Sequence, residues 1–120
     1  MPRRINAAAL TMAENPRARA VAFTGKILSL DIATNTGFCA GAPGDAVPEI
    51  GHVKLPSTGD DIGKFAVAFE EWLDEQLRWT SPELVVFEAP ILPTKTQLIT
   101  VRKLNGLIFE VERQCRHLRI

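Results

Sequence analysis

Lys26-Ile27-Leu28-Ser29-Leu30-Asp31 decides the fold: it is an apolar run of strand length that stops on a carboxylate. The small, hydroxyl-rich stretch Ile32-Ala33-Thr34-Asn35-Thr36-Gly37 follows it, and then a second apolar run, Phe38-Cys39-Ala40. Strand, tight Thr/Asn/Gly turn and strand predict an antiparallel hairpin, with its arms at about Lys26–Asp31 and Gly37–Ala42. Further along, Glu83-Leu84-Val85-Val86-Phe87-Glu88 repeats the first pattern and again ends in an acid. Two strands of this kind bring Asp31 and Glu88 to one edge of a sheet, the edge where open α/β sheets hold their ligands.

Working outward, Gly41, Pro43 and Gly44 break the hairpin, and Glu49–Leu55 reads as a third strand closed by Pro56-Ser57-Thr58-Gly59. Asp60 or Asp61 then caps a helix that runs to about Trp79. Ile62, Phe65, Ala66, Phe69, Trp72, Leu73 and Leu77 recur at helical spacing and form its core face. Leu84–Phe87 is continuously apolar, as expected of a central strand covered on both faces. After the Pro-bounded loop Ala89–Pro93, Thr94 is placed to cap a second helix, about 95–116. Leu98, Val101, Leu104 or Asn105, Ile108, Val111 and Cys115 give that helix its apolar side. Leu118-Arg119-Ile120 reads as the first residues of another strand. The expected order is a three-stranded antiparallel unit, then parallel strands alternating with helices: an α/β fold with a mixed sheet.

The chain has 120 residues, the size of one domain. Residues 1–24, rich in Ala and Arg with Pro2 and Pro16 as breakers, read as a flexible basic arm, and 25–120 as the folded domain. The arm lacks the continuous apolar core of a signal peptide, while a transit peptide stays possible on its Arg-rich composition. No stretch is apolar enough to span a membrane. Cys39 and Cys115 have no ligand-spaced partners, so neither a disulfide framework nor a zinc site is expected, and free thiols fit a cytoplasmic protein. His52 and His117 stand alone and read as ordinary surface or strand residues.

The formal net charge of zero hides an asymmetry: residues 1–25 sum to +3, 26–93 to −7 and 94–120 to +4. An acidic middle between basic ends fits a metal site flanked by anion-binding segments, and equally a chance clustering of surface charge. Asp31 and Glu88 on neighbouring parallel strands, about 4.8 Å apart, can reach one divalent ion of the hard, oxygen-preferring kind. The competing reading makes Asp31 a cap for the turn at Thr34 or Asn35 and Glu88 an exposed strand end.

The stretch Ile27 to Phe38 resembles the first strand and turn of RuvC-type Holliday junction resolvases: an apolar strand, an Asp, small or hydroxyl residues, then Thr-Gly and an aromatic. Leu84-Val85-Val86-Phe87-Glu88-Ala89-Pro90 is similar to their second acidic motif, and the elements between match in order over about residues 26–120. The resemblance implies an RNase H-like fold and a Mg²⁺- or Mn²⁺-dependent endonuclease acting on branched DNA, usually as a homodimer. It makes Asp31 and Glu88 the catalytic, metal-holding acids. Thr34 and Thr36 would then meet a phosphate or orient a water. Lys95, Arg102 and Lys103, with Arg113 and Arg116 on the same helix, read either as contacts to DNA phosphates or as a solvated helix face, and Ile91 either as packing in its Pro-rich loop or as a wedge between unstacked bases. The family completes its site with further carboxylates on a C-terminal helix. Glu110 and Glu112 do not match that motif, so the implied fold is C-terminally incomplete. A binding-only relative or remnant is therefore an alternative expectation. A fragment of an actin-like or sugar-kinase ATPase is a third, since those also open with an apolar strand, an Asp and a Thr/Gly hairpin.

Overall fold

The computed structural model describes residues 23–88 and 95–120. Almost all of the expected basic arm, Ile91 and Thr94 lie outside the described residues. The elements are β1 (Ile27–Asp31), β2 (Asn35–Gly41), β3 (Glu49–Lys54), α1 (Ile62–Thr80), β4 (Leu84–Phe87) and α2 (Leu98–Leu118). The strands form one mixed sheet in the order β3-β2-β1-β4, with β1 antiparallel to β2 and parallel to β4. The expected order of elements up to α2 is met, and the fold is α/β.

Alternation along β1 sends Leu28 and Leu30 to one face and Ile27, Ser29 and Asp31 to the other. Leu28, Leu30 and Ala40 from the sheet meet Phe65, Phe69, Leu73 and Leu77 of α1 and Leu107 and Val111 of α2 in the core. Each large side chain so buried contributes about 1.5–3 kcal/mol. Phe38, opposite Leu30 and Gly51 in the sheet, stacks on Trp72 of α1 at 5.8 Å between ring centroids, and Trp72 in turn meets Phe69 at 5.7 Å.

Helix α1 starts where the side chain of Asp61 accepts the Lys64 N–H at 2.9 Å, and it stops at Ser81, in the left-handed region at φ 45°. Pro82 follows and cannot continue the helix. Helix α2 is tied to α1 by polar contacts. The Arg113 guanidinium donates to Glu70 at 2.9 Å and to Glu110 at 2.6 Å. The buried Gln114 amide donates to the Glu70 carbonyl at 3.1 Å and to the Glu110 carboxylate at 2.8 Å.

Three expectations are corrected. Strand β4 is not covered on both faces: it pairs with β1 among the described residues, and Leu84 and Val86 are 39% and 46% exposed. Both helices pack on the other face of the sheet, where Val85 and Phe87 reach the core. The second correction concerns the extent of the apolar side of α2: Leu104, Ile108, Val111 and Cys115 do face the core, but Leu98 does not, and Leu107 joins them. The buried residues of the helix are Leu107, Val111 and Gln114, flanked by Leu104, Ile108 and Cys115, whereas Leu98 is 73% exposed. Finally, Leu118-Arg119-Ile120 does not begin a strand. Leu118 ends α2, Arg119 takes φ 61°, and the Ile120 N–H returns to the Cys115 carbonyl at 2.9 Å. Ile120 packs against the core, so its apolar character belongs to a helix-closing turn of the Schellman type.

Candidate functional site

The parallel pairing of β1 with β4 runs Ile27 with Leu84, Leu28 with Val85, Ser29 with Val86 and Leu30 with Phe87. Beyond it, Asp31 closes β1 and Glu88 directly follows β4. Neighbouring strands lie about 4.8 Å apart, so both acids belong to the C-terminal edge of the sheet, at the ends of paired strands. Both are exposed. Asp31 belongs to the face that the helices leave uncovered. In the antiparallel direction Asp31 pairs with Gly37 and Gly37 with His52, so Asp31, Gly37 and His52 form one row across three strands. Gly37 brings no side chain into that row, which leaves Asp31 open toward His52. No group of three or more His, Cys, Asp or Glu side chains suited to hold a metal ion occurs among the described residues.

The turn after Asp31 is built by Thr36. Its side chain is fully buried, and its hydroxyl donates to the Ala33 carbonyl at 2.6 Å while accepting the Ala33 N–H at 3.3 Å. The expectation that Thr36 meets a phosphate is therefore corrected: its oxygen is spent on holding the turn. Thr34 is exposed, and its carbonyl accepts the Leu55 N–H at 2.8 Å, which ties the turn to the end of β3. Beside this tie lies one cleft of about 230 Å³, lined by Thr34, Asn35, Lys54, Ser57 and Lys103 among others. Lys103 reaches it from α2, with its Nζ 4.9 Å from the centre of the Phe65 ring. Lys95 and Arg102 are exposed but do not line this cleft.

Reading the sequence missed Lys54, Asn35 and Ser57, because only the β2–β3 register sets Lys54 opposite Asn35. Glu110 stays apart from the paired acids and is held in the α1–α2 clamp. Burial acts to raise its pKa, but hydrogen bonds from Arg113 and Gln114 and the Arg113 charge outweigh that, and the carboxyl lies below its ordinary value. The Cys115 thiol is pushed up by burial. No helix among the described residues is long and apolar enough to cross a membrane. Neither a protein-family model nor a curated protein sequence matches the chain.

Proposed function

We propose that the chain is a metal-dependent, structure-selective DNA endonuclease of the RuvC-like, RNase H-like type, acting on branched DNA such as a Holliday junction. The observation that carries this reading is the β1–β4 register, Ile27–Leu30 on Leu84–Phe87, after which each strand is followed or closed by an exposed acid, Asp31 and Glu88. The strand order β3-β2-β1-β4, an antiparallel unit extended by a parallel strand, supports the RNase H-like assignment. Two exposed carboxylates are the donor set of one Mg²⁺ or Mn²⁺, which binds through few protein oxygens and retains waters. Asp31 and Glu88 would hold that ion, and its chemistry would be to activate water and to stabilise the leaving oxygen of a phosphodiester. The chain's own part is to hold both acids at neighbouring strand ends, exposed to a DNA strand. The sheet face on which neither helix packs and the side-chain-free position at Gly37 support that role. Homodimerisation, as in the family, would place two such edges on the arms of one junction.

The test incubates the purified chain with a labelled four-way junction and a matched duplex in Mg²⁺ or Mn²⁺, beside Asp31→Asn and Glu88→Gln. Junction-selective nicking that both variants abolish, with unchanged circular dichroism, is the expected result. Nicking that survives Asp31→Asn overturns the assignment of the acids. Junction binding without nicking by the folded wild-type chain replaces the nuclease reading with a binding-only relative. ATP binding in place of junction binding points to an actin-like ATPase.

A further inference from the structure

The cleft beside the paired acids carries chemistry that the two carboxylates do not use. We propose that it is a seat for a phosphate oxyanion. It is lined by Thr34 and Asn35 from the β1–β2 turn, Lys54 at the end of β3, Ser57 from the following loop, and Phe65 and Lys103 from the two helices. No carboxylate among the described residues lines it. Among the described residues neither Lys54 nor Lys103 takes part in an ion pair, whereas Arg78 and Arg113 do. Two ammonium groups at one opening, without a neutralising acid, create a local field that selects an anion.

The positive charge is also fixed in place. Lys103 rests on the face of the buried Phe65 ring at 4.9 Å, an arrangement in which the ring quadrupole holds the ammonium. The hydroxyls of Thr34 and Ser57 and the amide of Asn35 supply neutral donors on the same wall. Thr58, between the lining residues Ser57 and Gly59, has a buried Oγ1 with no hydrogen-bond partner among the described residues. Buried hydroxyls are nearly always paired, so this loop holds polar capacity that the protein itself does not consume. The opposite arrangement occurs between α1 and α2, where the pocket lined by Glu70, Glu71, Asp74 and Arg113 has its arginine neutralised by Glu70 and Glu110.

The phosphate has two possible sources, a diester of a bound DNA strand or a free phosphate ion. The strand source rests on the nuclease reading; the oxyanion chemistry does not. The experiment titrates the full ¹⁵N-labelled chain with inorganic phosphate at constant ionic strength set by chloride. Saturable shifts of the Thr34, Asn35 and Ser57 amides are expected. Lys54→Ala with Lys103→Gln, which keeps a side chain over Phe65, should weaken phosphate binding at least tenfold. The charge-matched control Arg78→Ala with Arg116→Ala should leave it unchanged. Shifts that are absent, unsaturable or equal in the two double variants overturn the proposal. A second arm follows a fluorescein-labelled single-stranded oligonucleotide by anisotropy. If the strand supplies the phosphate, the cleft variant lowers the slope of log K against log salt by about 0.7 for each phosphate it no longer neutralises. If only free phosphate responds, the seat stands with the ion as its ligand. A chain that seats phosphate but never nicks a junction keeps this proposal and loses the nuclease reading.

Discussion

Replacing Gly51 by alanine puts a methyl group into the aromatic stack that joins sheet to helix. A Cβ at Gly51 would lie 2.7 Å from Phe38 Cε1 and 2.8 Å from Cζ. That is roughly 1 Å inside the ~3.5–4.0 Å optimum for carbon contacts. The ring cannot move freely, because it stacks on Trp72 and Trp72 on Phe69, which is fully buried. Overpacking of this kind costs about 1–3 kcal/mol, and the smaller unfolded-state entropy of alanine offsets about 0.4–1 kcal/mol. A net loss of about 1–2 kcal/mol should lower Tm by about 4–8 °C per kcal/mol in a domain this small. Chemical denaturation of Gly51→Ala, Phe38→Leu and the double variant measures the coupling directly. The double variant should be more stable than the two single losses add up to, because the smaller side chain vacates the space. An alanine variant as stable as wild type, or strictly additive losses, would refute the reasoning.

Gln114→Ala removes the buried donor to the Glu70 carbonyl and the Glu110 carboxylate, and denaturant titration should show a loss of about 1–3 kcal/mol. Because the Glu110 carboxyl lies below its ordinary value of 4.5 when folded, its contribution is present above that value and is lost as pH falls through the lower folded one. Glu110→Gln should therefore flatten the acid limb of a stability-against-pH curve, and an unchanged limb would remove Glu110 from the clamp. Thr36→Val keeps the shape but deletes the hydroxyl that closes the turn on Ala33. It should cost about 1–3 kcal/mol by thermal melting, and Thr36→Ser should restore most of that.

The hairpin and the acids at the ends of β1 and β4 were legible because alternation and termination are local signals. So was the buried face of α1, where Phe65, Phe69, Leu73 and Leu77 recur four apart. In α2 the choice between Leu104 and Asn105 falls to Leu104, but Leu98 lies outside the core. Periodicity gives a helix its face but not the length over which a neighbour covers it, and the polar ties to α1 fall late in α2, at Arg113 and Gln114. Strand β4 misled for a related reason, since Leu84-Val85-Val86-Phe87 reads the same whether one face or two are covered. The cleft was out of reach: Thr34, Lys54 and Lys103 meet only through a strand register and a helix packing that no local pattern records.

The ring stack gives the chain its own optical reporters. Trp72 sits half-buried between Phe38 and Phe69, while Trp79, about two helix turns further along α1, is 74% exposed. In a Trp79→Phe background, emission comes from a single indole at the seam between sheet and helix. A red shift then times the parting of α1 from the sheet, and insensitivity to iodide marks the interval in which the seam is closed.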